Sequence, residues 1–93
     1  MEINSYYFNK ELCNLPNGLK NLYFIKHSCF NQTIDCLPDS VETIYLPMSY
    51  NKKINKLPLN LKRLVVNEDY PYHRELLDKY HGKISIICNT QYF

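Results

Sequence analysis

Phe30-Asn31-Gln32-Thr33-Ile34-Asp35-Cys36-Leu37-Pro38-Asp39-Ser40-Val41-Glu42-Thr43-Ile44-Tyr45-Leu46 is the stretch on which the fold turns. It reads as an aromatic residue, an Asn, then Ile, Leu-Pro and a series of apolar residues at fixed offsets. Upstream the same template returns as Phe8-Asn9, Leu12, Leu15-Pro16, Leu19, Leu22 and Phe24. Downstream it returns as Tyr50-Asn51, Ile54, Leu57-Pro58, Leu61, Leu64 and Val66. Copies of about 20 residues with leucine-type spacing predict a short solenoid, in which each copy buries its apolar face against the next.

The repeats run over 8–29, 30–49 and 50–69, within one domain spanning 1–93. Inside each copy, Leu22-x-Phe24, Ile44-x-Leu46 and Leu64-x-Val66 alternate with period two. They predict short strands with these residues inward and Tyr23, Tyr45 and Val65 outward, each strand paired in parallel with its equivalent. Pro after Leu has no amide donor and holds the preceding residue extended, which suits irregular or 3₁₀ returns. The aromatics Phe8, Phe30 and Tyr50 are expected to stack from copy to copy. Asn9, Asn31 and Asn51 are expected to form a side-chain ladder that satisfies turn backbone groups.

A fourth unit at 70–88 keeps the aromatic, Tyr70, and predicts a helix followed by a strand. Ile84 and Ile86 fall where Leu64 and Val66 fell one period earlier. Pro71 suits a first helical turn, Lys79 and His81 a last one, and Gly82 the left-handed position beyond it. One helical face would carry Tyr72, His73, Leu76, Leu77 and Tyr80. A terminal unit that departs from its siblings reads as a cap. Ile3, Tyr6 and Tyr7 are expected to add a strand or cap at the other end, and the tail 89–93 to fold back or fray.

Composition narrows the function. A net charge of +2 gives little pull on nucleic acid or anionic membrane, and Lys52-Lys53 and Lys62-Arg63 are interrupted by acidic residues. We therefore expect neither partner. Only two glycines are present, Gly18 and Gly82, and neither lies in a phosphate-cradling pattern. The N-terminus lacks a basic, apolar leader pattern, which predicts an intracellular, cytoplasmic protein. On that basis Cys13, Cys29, Cys36 and Cys88, without any Cys-x-x-Cys spacing, are expected to be reduced thiols. With His27, His73 and His81 they form no metal-ligand spacing, so no cofactor or metal is expected. The Asn31-Gln32-Thr33 sequon reads as part of the repeat.

The Phe/Tyr-Asn-x-x-Ile-x-x-Leu-Pro-x-x-Leu-x-x-Leu-x-Leu pattern resembles the FNIP repeat, a relative of the leucine-rich repeat. Phe30, Asn31, Ile34 and Pro38 carry its four signature residues, while Leu12 replaces the Ile in the first copy and Tyr50 the Phe in the third. The resemblance implies an α/β solenoid, a short right-handed leucine-rich-repeat-like coil with a parallel sheet on one face. It also implies a non-catalytic protein-binding scaffold of the type found in social amoebae and large DNA viruses of amoebae. Many such proteins carry an F-box that docks on a ubiquitin ligase. Seven residues before the first repeat are too few for one, which leaves a stand-alone module or an adaptor's substrate-recognition part without its F-box.

Outward strand residues Asn21, Tyr23, Thr43, Tyr45, Arg63, Val65 and Ser85 are the candidate partner-binding set, with Tyr23, Tyr45 and Arg63 as anchors. Aromatic and branched residues on an open sheet face exceed what solubility requires, and Tyr and Arg are frequent hot spots. Two other readings stand beside this one. The chain could self-associate through its N-terminal coil, or it could be a small metal protein.

Overall fold

The alternating apolar pairs place one short strand in each repeat. The computed structural model describes residues 1–80 and 82–88. Its elements are β1 (Glu2–Ile3), β2 (Asn21–Phe24), β3 (Thr43–Tyr45), β4 (Arg63–Val66), α1 (His73–Tyr80) and β5 (Ser85–Cys88). All five strands pair in parallel in the order β1-β2-β3-β4-β5. Parallel order with one crossover between neighbours makes this a small α/β repeat fold.

The inward residues form one core. Leu22, Phe24, Phe30, Ile44, Leu46 and Leu64 are fully buried, joined by Ile34, Leu37, Val41 and Val66. The opening aromatics stack along the chain: Phe8 on Phe30 at 6.0 Å, Phe30 on Tyr50 at 5.9 Å, and Tyr50 on Tyr70 at 6.0 Å. Return segments are isolated turns instead of a 3₁₀ helix. In each, the Leu or Val three residues after Pro donates its amide to the Pro carbonyl, as in Leu19 to Pro16, Val41 to Pro38 and Leu61 to Pro58.

Polar ladders bind each repeat to the next. Asn9 Oδ1 accepts the Asn31 amide at 2.8 Å, and Asn31 Oδ1 accepts the Asn51 amide at 3.0 Å while Asn31 Nδ2 donates to Asn51 Oδ1. The sequon Asn31 is thus engaged through both side-chain atoms. A few residues on, Asp35 Oδ1 accepts the amides of Asn55 and Lys56, and Asp35 Oδ2 accepts Asn55 Nδ2.

Four expectations are corrected here. Cys13 and Cys36 form a disulfide, with Cα atoms 5.1 Å apart, where reduced thiols were expected. The reason is the repeat itself: Cys13 is equivalent to Asp35, so the next coil brings Cys36 one position away from it. Second, β5 is displaced by two residues, with Leu64 opposite Ile86 and Val66 opposite Cys88, not Ile84 and Ile86. A helix advances only about 1.5 Å per residue against about 3.3 Å for extended chain, so this unit uses more residues to return. An even shift leaves the inward and outward faces unchanged. Third, Leu77 is 40% exposed, because α1 is short and presents Leu76 alone among its residues as fully buried. Fourth, Tyr6 and Tyr7 lie in solvent and do not cover the open end, whereas Ile3 joins the core opposite Phe24.

The cap otherwise follows its sequence signals. Gly82 has φ of 77°, the left-handed conformation beyond the helix. Tyr70 donates its hydroxyl to the Lys52 carbonyl at 2.6 Å, tying cap to third repeat. His81, the tail 89–93 and the Cys88 side chain lie outside the described residues.

Candidate functional site

Period-two alternation puts every second strand residue on the outer face of the sheet. Two rows result. Asn21, Thr43, Arg63 and Ser85 lie side by side, and next to them run Glu2, Tyr23, Tyr45, Val65 and Ile87. All seven candidate residues therefore sit on one face, in two adjacent rows.

Their accessibility differs. Asn21, Arg63 and Ser85 are exposed, and Thr43, Tyr23 and Tyr45 are half-buried. Val65 is only 1% exposed although it points away from the core, so it cannot offer contact area and leaves the candidate set. It is the shortest side chain of its row, set between the longer Tyr45 and Ile87.

Tyr23 and Tyr45 meet edge to face, centroids 4.9 Å apart and planes at 66°. Such a pair holds both rings in place through their quadrupoles as well as their buried area. Beside them opens a cavity of about 300 Å³ lined by Glu2, Asn4, Tyr23, Phe24 and Tyr45. Glu2 and Asn4 were not among the sequence candidates. Placing them required a register for β1, and the link between Ile3 and Phe8 differs in length from the later strand-to-aromatic links.

At the lower edge of the sheet a charge ladder crosses three repeats. Glu42 lies 3.4 Å from Lys20 and 3.6 Å from Lys62. The hydrogen bond from Lys20, helped by the charge of Lys62, holds the Glu42 carboxyl below its usual range. These side chains occupy equivalent positions in consecutive repeats, and their solvent exposure makes each pair weak.

Burial pushes the phenols of Tyr50 and Tyr70 well above the ordinary tyrosine range. Among the described residues, no three of His, Cys, Asp and Glu come together as a metal-binding group. No helix among them is long and apolar enough to cross a membrane.

The model of the FNIP repeat matches residues 8–49, the first two copies with their strands β2 and β3. Residues 8–49 are an FNIP-repeat segment. The FNIP signature residues Phe30 and Ile34 are buried in the core and Asn31 holds the ladder, so these residues belong to the scaffold and not to the outer face. No curated protein and no solved structure matches the chain.

Proposed function

We propose that the chain is a short leucine-rich-repeat-like solenoid acting as a non-catalytic protein-binding module. Its partner would lie across the outer face of the sheet, with Tyr23, Tyr45 and Arg63 as principal contacts. The observation that carries this reading is the pairing of Tyr23 and Tyr45 on adjacent strands of that face. Two half-exposed rings held by each other and by the sheet can be covered at little cost in conformational entropy. The FNIP match supports a repeat-type interaction module in general and names no partner.

The test is capture of partners by the wild-type chain and by a Tyr23→Ala/Tyr45→Ala/Arg63→Ala variant. A folded variant should lose the captured partner, whereas unchanged capture would refute the sheet-face reading.

A second reading rests on the N-terminal end. Phe8, Leu15 and Leu19 are only partly buried there, Tyr7 is 89% exposed, and β1 has an unpaired edge. An uncovered coil end of this kind favours head-to-tail or edge-to-edge association of copies. Light scattering across a concentration series tests it; a monomer at every concentration would remove it.

A further inference from the structure

The cavity beside Tyr23 and Tyr45 carries more information than its location. Beside Asn4 and Phe24, its lining includes the rings of Tyr23 and Tyr45, fixed at 66° to each other, and one carboxylate, that of Glu2. Glu2 is the direct register partner of Tyr23, so its side chain leaves the sheet next to that ring. Among the described strand residues facing outward, Glu2 is the sole carboxylate and Arg63 the sole cation. Arg63 stands in the other row, opposite Thr43 and Ser85. The Met1 ammonium is bound to the Asn21 carbonyl at 2.9 Å, at the start of the strand pair. Glu42, the other nearby carboxylate, is already held between Lys20 and Lys62.

Ring faces present negative quadrupole, and a carboxylate at the same opening adds formal negative charge. Both favour a cation over an anion. A volume of about 300 Å³ admits a guanidinium or ammonium head with its stem. Asn4 brings a side-chain amide that can accept from the same head.

We propose that this cavity receives a basic side chain, arginine or lysine, from a partner protein. The inference rests on the outer-face reading above and specifies what the partner must present there. Arginine suits the site best, because its planar head stacks on one ring while its N–H groups reach the carboxylate.

The test uses the labelled full chain and three short peptides, alike except for a central arginine, citrulline or glutamate. Citrulline keeps the shape of arginine and lacks its charge. Amide and tyrosine-ring resonances should shift saturably at Glu2, Tyr23 and Tyr45 with the arginine peptide. Affinity should fall at least tenfold with citrulline, and glutamate should not bind. Glu2→Gln should weaken arginine binding about fivefold or more, and salt should weaken it in the wild type. Tyr45→Phe, which keeps a ring, should bind within about twofold, while Tyr45→Leu should lose binding; dispersed strand resonances would verify that each variant is folded. Equal binding of arginine and citrulline would overturn the cation inference while leaving the outer face as a contact surface. Absence of saturable shifts with the arginine peptide would also overturn it. Loss of the contact-surface reading would instead come from unchanged partner capture by the triple variant.

Discussion

The junction between the first and second repeats and that between the second and third solve one problem with different chemistry. In the second junction Asp35 reaches one coil forward and accepts hydrogen bonds from Asn55 and Lys56. In the first junction the residue equivalent to Asp35 is Cys13, and it reaches forward to form a covalent bond to Cys36, the equivalent of Lys56. The step in space is the same. A position that links neighbouring coils can thus be filled by a carboxylate or by half of a disulfide, and the strength of that link differs between the two ends of the molecule.

The largest expected effect comes from cutting the covalent link. Closing a loop across a sequence separation of 23 restricts the unfolded chain by about 3 kcal/mol in the loop-entropy account. Reduction, or Cys13→Ser with Cys36→Ser, should therefore lower the Tm by roughly 10 °C or more for a domain of this size. Calorimetry with and without a dithiol checks this, after a thiol count has verified that the starting protein holds the bond. An unchanged Tm would mean that hydrogen bonds and stacking alone hold the first coil.

Removing the hydrogen-bonded link should cost less. Asp35→Ala leaves two backbone amides and the Asn55 side-chain amide without their acceptor, and about 1–2 kcal/mol is the usual scale for such a loss. Urea denaturation measures it. If Asp35→Ala proved as costly as the disulfide pair, the two links would be equivalent in energy as well as in place.

A weaker pH effect separates the core stack from both junctions. Tyr50 and Tyr70 are kept neutral in the folded chain chiefly by burial, so their pKa values lie above the ordinary value of 10.0. The stabilisation is complete below about pH 10 and is lost as pH rises further, because the unfolded chain ionises first. Spectrophotometric titration should show two tyrosines ionising only with unfolding, and Tyr50→Phe should reduce that loss. The smallest effect belongs to the exposed ladder: Lys62→Ala should leave the Tm within measurement error, since solvent screens its pair with Glu42.

Much of the scaffold was legible because its signals recur. Leu22, Ile44 and Leu64 announce the strands, Phe8, Phe30 and Tyr50 the stack, and Asn9, Asn31 and Asn51 the ladder. Pro71 and Gly82 bracket the cap helix for reasons of backbone conformation alone. The disulfide leaves no signal along the chain, where Cys13 and Cys36 form no motif. Their closeness exists only after one coil is laid on the next. The register of β5 depends on how many residues α1 consumes, and apolar periodicity does not report that number. At the outer face, alternation identified Tyr23 and Tyr45, but the burial of Val65 depends on its neighbours' lengths, and the role of Glu2 depends on a strand of two residues. Leu59 gives the same lesson in reverse: it occupies the position of Asp39, which accepts the Leu59 amide at 3.0 Å, yet is itself 83% exposed. The polar device ends where the regular repeats end.

Each repeat is held to the next by its own link. Residue-resolved amide hydrogen exchange in the presence and absence of a dithiol tests it most directly. Reduction should accelerate exchange at Tyr23, Ile25 and Cys29, whose amides donate to the carbonyls of Met1, Ile3 and Tyr6, and at Asn31 on the first junction. Asn55 and Lys56, on the second junction, should keep their protection. Uniform acceleration through all five strands, or none anywhere, would contradict the claim.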